Sequence, residues 1–500
     1  MYTESESTVI ALVVLTAFGI LGWGFYRAKP FGKLGILAWL QSVVLIAPWL
    51  LFFGLFAVGI YLNIAGILFL IVASTIAYVF IGNRLRAQNG EKVLRQEEPT
   101  SMPNNQPVTS DPKSTEHTNQ KSPLPLEPTV APIPAEDLTA IKGIFSIDTY
   151  FAVETIPYQE GVICKGNLRG EAEQVHQRLT ERLQEKLGDR YRLFLVENLD
   201  AKPVVIVLPS RTDSRPITLS QKIFAALLFL ATIATTLETA GLLLGFDFFT
   251  NSARLPEVLP ISIGIIAVLV AHEIAHRVIA RRYQVTLSPP FFLPTLQIGC
   301  FGAITRFLSS VPNRKALFDI AFAGPAAGGM LSLLLLVIGL ILSHPGSLFQ
   351  VPAEFFQGSI LVGTLARVIL GADAHKQLID VNPLTVVGWL GLVITALNVM
   401  PAGQLDGGRI VQAIYGRKTA GRTTVATLIV LAIASLANPV AMYWAIVIVF
   451  LQRDLERPSL NEITEPDDAR AALGLLALFL MISVLLPLTP ALAGRLGIGA

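Results

Sequence analysis

Apolar residues are distributed along this chain in long runs broken by short polar clusters. Runs of the roughly 19-residue length that carries a helix across a bilayer cover 8–26, 36–58, 61–82, 222–245, 257–281, 317–343, 385–404 and 471–490. Shorter runs at 422–437 and 439–452 fit tilted or broken crossings. The pattern therefore predicts about ten transmembrane helices. Between Phe80 and Phe145 there is no Phe, Tyr or Trp, while nine prolines from Pro99 to Pro134 punctuate a polar stretch. Such a segment cannot bury a core, so 86–134 is predicted to be a disordered Pro-rich linker. Beyond it the periodicity changes. YFAVETI and GVICKGNL alternate at strand spacing, a charged helix is expected from Glu171 to Leu187, and YRLFLVEN and PVVIVLP read as two more strands. Residues 285–310, with Pro289, Pro290, Pro294, Gly299 and Gly302, are too broken for a crossing and too apolar for a solvated loop. A re-entrant hairpin fits them.

The expected fold class is thus an all-α polytopic membrane protein of about ten transmembrane helices with a re-entrant hairpin, plus a small cytoplasmic α+β domain. The expected divisions are a three-span region at 1–85, the linker at 86–134, the α+β domain at 135–216, a membrane core at 217–465, and a last span with its tail at 466–500. No internal repeat is visible.

Composition sharpens this. Of 500 residues 52% are hydrophobic and only 15% charged, which excludes an ordinary water-soluble enzyme. The formal net charge of +2, with no basic stripe, sets nucleic acid aside as a partner. Basic clusters follow alternate spans (Arg27 and Lys29, Arg84 and Arg86, Arg281 and Arg282, Arg417 and Lys418, Arg453 and Arg457). By the positive-inside rule these loops are cytoplasmic, the N-terminus is outside, and 82–222 is cytoplasmic. Glu4 and Glu6 stand where a cleaved signal would be basic, so the first run reads as a retained anchor. Two cysteines, Cys164 and Cys300, cannot form a disulfide framework or a cysteine zinc site, so any metal must use histidine and carboxylate.

The fifth run reads ISIGIIAVLVAHEIAHRVIARR. His272 and His276, at i and i+4, share one helical face and can grip one metal ion, with Glu273 close enough to reach a water activated there. Three ionisable groups inside an apolar helix are costly unless they meet a metal or a polar cavity. The competing reading is a hydrogen-bonded cluster or proton relay. Zinc needs a third protein ligand. His117 lies in the linker, His176 on the soluble helix, and His344 and His375 in outward loops. Asp406, in ALNVMPAGQLDGG, follows a span broken by Pro401 and Gly403, which places a carboxylate on irregular backbone near membrane depth. Ligand and ordinary helix N-cap are both open for it.

HEIAH followed by Asn398, Pro401, Asp406 and Gly407 in the order N-x-x-P-x-x-x-x-D-G resembles the site-2 protease family of intramembrane zinc metalloproteases. The resemblance implies that Asp406 is the third zinc ligand, that Asn398 contacts substrate or the developing oxyanion, and that the hairpin pairs with an extended substrate strand. Gly166–Arg169 spells GNLR, which resembles the plant and cyanobacterial branch named for ethylene-dependent gravitropism-deficient and yellow-green proteins. The likeness covers roughly 140–465 and keeps every zinc position.

The expected function is that of an intramembrane zinc metalloendopeptidase that cleaves transmembrane segments of membrane-protein substrates with zinc-activated water. One Zn²⁺ per chain is expected on His272, His276 and Asp406, with Glu273 as general base and Asn398 assisting. The zinc should lie in the cytoplasmic half of the bilayer, because His276 is about 9 Å of helix rise from Arg282. The alternative is a metal or proton transporter built on the same His/Glu/Asp cluster, though such proteins commonly show paired halves. A transmembrane protein substrate and the lipid bilayer are the expected partners; the sequence carries no signal of an oligomeric state. The expected location is multi-pass in a bacterial, cyanobacterial plasma or thylakoid membrane. Gly324 and Gly328 form a small-x-x-x-small packing face, and Glu238 reads as a satisfied polar contact.

Overall fold

The computed structural model describes residues 22–32, 35–40, 43 and 44, positions 74, 77, 81 and 84, residue 493, and 133–489 except 159, 199–201, 214, 215, 297, 437 and 453. Two units result, Met1–Pro123 and Leu124–Ala500. In the first, described positions around 22–31 and 35–40 are helical, and the Phe25 and Trp39 rings meet edge-on at 5.0 Å. Most of the three expected N-terminal spans, and the linker up to residue 132, lie outside the described residues.

The second unit opens with a mixed module. After α1 (Ala135–Lys142) come the hairpin β1 (Tyr150–Tyr158) and β2 (Gly161–Leu168), then α2 (Ala172–Leu187), β3 (Tyr191–Glu197) and β4 (Pro203–Pro209). The antiparallel sheet has the order β1-β2-β4-β3. Val175, Leu179, Leu183 and Leu187 recur every four residues on α2 and bury against Cys164, Leu193, Leu195 and Val205. Strand β3 is not a bare edge. The Leu195 amide donates to Leu460 at 2.7 Å and the Glu462 amide donates back to Leu195 at 2.9 Å, while the Leu460 and Asn461 amides donate to Val311 and Pro312. One short extended segment thus ties the sheet to the backbone just ahead of the next long helices.

The membrane core follows. Helix α3 (Leu219–Leu243) starts with a capping box, in which Thr218 and Gln221 exchange side-chain and backbone hydrogen bonds. Near its other end Glu238 accepts the Phe248 amide at 3.0 Å, the satisfied contact expected of that residue. Next come α4 (Leu255–Arg282), the hairpin β5 (Phe291–Thr295) and β6 (Gly299–Ile304), and α5 (Arg314–Ile341). The hairpin falls inside the broken stretch 285–310.

Residues 344–382, where His344 and His375 were expected in outward loops, contain a two-stranded ribbon of β7 (Phe349–Pro352) and β8 (Leu378–Val381) around α6 (Glu354–Gln357) and α7 (Ile360–Leu370). Val362 and Ala366 of α7 are buried in the main apolar cluster. Eleven residues are too few to cross a bilayer, which is why a span-length window passes over them. Helix α8 (Pro383–Asn398) is buried on almost every side, as a uniformly apolar helix should be. It is followed by α9 (Asp406–Ala434), α10 (Pro439–Val447) and α11 (Asp468–Leu485).

Among the described residues, four helices are long and apolar enough to cross a membrane: Leu219–Leu243, Ser252–Arg282, Arg314–Ile341 and Asp468–Leu485. The pattern had predicted seven crossings from residue 222 onward. The difference lies in α8 to α10. Helix α8 stops before Pro401, which cannot continue it. Helix α9 breaks at Gly416, where φ is 79°, and the Arg314 guanidinium caps that break by donating to the Ala413 and Ile414 carbonyls, both at 2.7 Å. Helix α10 is nine residues long and ends in a π turn.

Candidate metal and catalytic site

The site is made where α4 crosses α5 and meets the start of α9. His272 and His276, one turn apart on α4, turn their Nε2 atoms to within 3.0 Å of each other. Asp406 Oδ2 lies 3.1 Å from His272 Nε2 and 3.4 Å from His276 Nε2. All three side chains are largely buried. The helix N-cap is Leu405, which makes no side-chain cap, and Asp406 occupies the first helical position with its carboxylate on the histidines. Asp406 thus makes no N-cap bond, and its carboxylate faces the histidines, the placement a ligand role requires.

Glycines make room for it. A Cβ on Gly324 of α5 would stand 2.2 Å from His276 Nε2, and one on Gly407 would stand 1.8 Å from the Val399 carbonyl oxygen. The small-residue face of α5 is a packing face, and what packs on it is the pair of imidazoles. His276 Nδ1 is 2.7 Å from the Ile320 carbonyl, which can only accept, so this nitrogen carries a proton and Nε2 is the one turned toward the cluster.

These residues fit a zinc ion. Bonds of about 2.0–2.2 Å in tetrahedral geometry put ligand atoms roughly 3.3 Å apart, against the 3.0, 3.1 and 3.4 Å seen here. Two imidazoles and one carboxylate are also a donor set that leaves a fourth position open. Glu273 completes the cluster, with ligand-type atoms of His272, Glu273 and His276 all within 4.8 Å of one another. Its Oε2 accepts from Arg277 at 3.0 Å and from the Thr305 hydroxyl at 2.9 Å; Oε1 accepts no hydrogen bond among the described residues.

Asn398 lines the same small cavity as Glu273, His276 and Asp406. Its amide nitrogen donates to Phe301 of β6 at 3.1 Å and to Ile394 of its own helix at 2.8 Å, so both hydrogens are engaged, one tying β6 to α8 and one within α8. His176 lies on α2 and His344 in the loop after α5, both away from the cluster.

Four residues escaped the sequence reading. Arg277 had a signal, since it is placed at i+4 from Glu273. Arg409 follows Asp406 by one turn, where its Nη1 comes to 3.9 Å from Asp406 Oδ1. Thr305 and Glu456 had none, being brought in from just past β6 and from the loop after α10. In GNLR, Gly166 is steric: a β1 bulge puts the Phe151 carbonyl 2.1 Å from where its Cβ would be. Leu168 packs on the sheet core, and Asn167 and Arg169 are exposed.

A helix-borne His-Glu-x-x-His pair completed by an aspartate from a second helix, set among membrane-length helices, defines the class of membrane metallopeptidases. The family model described as Peptidase family M50 matches residues 260–437, and the one described as EGY3 middle domain matches 139–216. The chain is 39% identical to "Probable zinc metalloprotease EGY2, chloroplastic" of Arabidopsis thaliana, over 75% of this chain and 69% of the relative. It is 41% identical to the protein of that name from Oryza sativa subsp. indica, over 71% and 67%, and 34% identical to "Probable zinc metalloprotease EGY1, chloroplastic" of Arabidopsis thaliana, over 73% of each. No solved structure matches the chain. The chain belongs to the EGY group of zinc metalloproteases within peptidase family M50. One expectation is overturned: these relatives are chloroplastic proteins of plants, so assignment to a bacterial plasma or thylakoid membrane is not supported.

Proposed function

We propose that this protein is a zinc metalloendopeptidase that cuts transmembrane segments of membrane proteins within the bilayer. The observation that carries the reading is the meeting of His272, His276 and Asp406 at zinc-ligand spacing beside Glu273, inside helices of membrane length. His272, His276 and Asp406 are the proposed ligands. Zinc bound there supplies Lewis acidity to a water and to the scissile carbonyl.

The chain's own groups do the rest. Glu273 takes the proton from the attacking water at Oε1, while Arg277 and Thr305 fix Oε2 so that the carboxylate keeps one orientation. It then passes that proton to the leaving amine. Asn398 serves chiefly by holding β6, since an oxyanion contact would require it to exchange one of its two present bonds. A pocket of about 660 Å³ between α3, α4 and the segment Leu287–Phe292 reaches Glu273, giving an unwound peptide a way in from the side. The hairpin at its rim supports the substrate-strand pairing that the family resemblance implies. The basic loops then share one side of the membrane with the α+β module, which is proposed to recognise or gate substrate without supplying catalytic groups.

Glu273→Gln tests this. The amide is nearly isosteric and leaves every proposed ligand in place, so the purified variant should hold one zinc per chain. It cannot take the proton from water, so cleavage of single-span substrates in proteoliposomes should fall by roughly 10²-fold to 10⁴-fold. Cleavage at the parental rate would refute the mechanism.

A further inference from the structure

Behind Asp406 lies an ion pair that the proposed chemistry does not use. Arg409 Nε donates to Glu456 Oε2 at 3.0 Å, its Nη2 lies 2.9 Å from the same oxygen, and both side chains are about 8% exposed. The guanidinium also donates to the Thr305 carbonyl at 2.8 Å and lies over the Phe307 ring at 4.7 Å. Glu456 is itself pinned, with Oε1 accepting the Arg457 amide and its backbone carbonyl accepting from Gln412 and Arg417. Replacing such a pair by apolar residues is often neutral or stabilising, so its presence is weak evidence of a stability role. Position is more informative. Arg409 Nη1 stands 3.9 Å from Asp406 Oδ1, beyond hydrogen-bond reach but only a side-chain rotation from a guanidinium–carboxylate pair.

We propose that Glu456 holds the Arg409 guanidinium off Asp406 and against the Thr305 carbonyl, so that Asp406 stays available as a metal ligand and Thr305 stays set to orient Glu273. The two are positioning residues. Thr305 links the halves of the arrangement, its hydroxyl donating to Glu273 Oε2 and its carbonyl accepting from Arg409. Without Glu456 the nearest anion to the buried guanidinium is Asp406, and a salt bridge there would compete directly with the metal. This inference rests on the proposed ligand role of Asp406.

The test is zinc affinity of the full-length protein, read by chelator competition, in a double-mutant cycle. Glu456→Gln keeps shape and hydrogen bonding but releases Arg409, and should weaken zinc binding by roughly the 10- to 100-fold seen when outer-sphere partners are lost. Adding Arg409→Gln removes the competitor, and the double variant should recover to within about threefold of the parent. A role in packing alone would make the double variant no better than the single one. If Glu456→Gln does not accumulate, the double variant carries the test by itself, because it is expected to bind zinc like the parent. Parental affinity in Glu456→Gln, or weak binding in the double variant, would overturn the proposal. Asp406→Ala separates the two readings: if it too binds zinc as the parent does, the ligand assignment falls first and this inference with it.

Discussion

Gly324 offers the sharpest test of the site's geometry, because the perturbation is one methyl group. Gly324→Ala places a Cβ 2.2 Å from His276 Nε2 and 2.6 Å from its Cδ2 and Cε1. Non-bonded heavy atoms settle at roughly 3.5 Å, so the ring must retreat by about 1 Å. Ligand distances tolerate about 0.2 Å, and the Ile320 carbonyl 2.7 Å behind Nδ1 limits where the ring can go. Zinc affinity should therefore fall by more than the roughly 10- to 100-fold that outer-sphere changes produce. The metal-free protein should be little affected, since overpacking costs about 1–3 kcal/mol and alanine regains roughly 0.5–1 kcal/mol of helix preference. Gly328→Ala is the control: its Cβ would meet His272 Cβ and Nδ1 at 3.2 Å, a conflict that a shift of a few tenths of an ångström relieves. Zinc content and chelator competition should rank the parent first, Gly328→Ala slightly below it and Gly324→Ala far below. Parental affinity in Gly324→Ala, or the reverse ranking of the two glycines, would refute the reasoning.

Two further outcomes follow from contacts away from the metal. Arg314→Met strips the guanidinium from the Ala413 and Ile414 carbonyls at the Gly416 break, and at about 1–3 kcal/mol per orphaned group it should cost roughly 2–6 kcal/mol. Arg314→Lys, able to serve one carbonyl well, should fall between, and thermal unfolding in detergent that places methionine level with the parent would remove Arg314 as the cap. His176, half-buried between α2 and β3 with its Nε2 3.3 Å from the Leu193 carbonyl, is held by burial below its ordinary pKa of 6.5. Its neutral form is the folded one, so its contribution is complete above pH 6.5 and is lost as pH falls through the lower folded value. Melting temperatures compared between pH 7.5 and 5.5 should drop less in His176→Gln than in the parent, and an equal drop would disprove the linkage.

What could be read from the sequence was whatever repeats or stays local. His272, Glu273 and His276 are visible because helical spacing alone puts them together, and the 285–310 hairpin because Pro and Gly exclude a span while apolarity excludes a solvated loop. The end of α8 was signalled by Pro401 and Gly403, but the break of α9 at Gly416 was not. Asp406 could be given two meanings locally, because a carboxylate at the start of a helix is ordinarily a cap. The arrival of α4 from about 130 residues upstream, with Asp406 Oδ2 at 3.1 Å from His272 Nε2, is a tertiary contact that no local pattern could supply. Thr305 and Glu456 had no local signature at all; a threonine at a strand end and a glutamate in a polar loop become part of the site purely through tertiary approach. The ribbon and short helix at 349–381 were missed for a different reason, since a window tuned to membrane length passes over an eleven-residue helix.

The same packing bears on the choice between protease and transporter. A transit site must open alternately to two sides, which requires the helices around it to separate as bodies. Here they interlock at backbone level: a Cβ on Gly388 of α8 would stand 2.3 Å from the Leu336 amide nitrogen of α5, and one on Gly339 of α5 would stand 2.2 Å from the Thr385 amide nitrogen of α8. Gly324 locks α5 onto α4 through His276 in the same way. Charge points in the same direction. Glu273 is paired with Arg277 and Glu456 with Arg409, while Asp406 faces two imidazoles and has Arg409 Nη1 at 3.9 Å. A donor set held between closely packed helices suits a resident ion, in keeping with the zinc metalloprotease names of the relatives. On the proposed function, a peptide would enter between α3 and α4 beside the β5–β6 hairpin, whose Phe292 borders the pocket at Glu273.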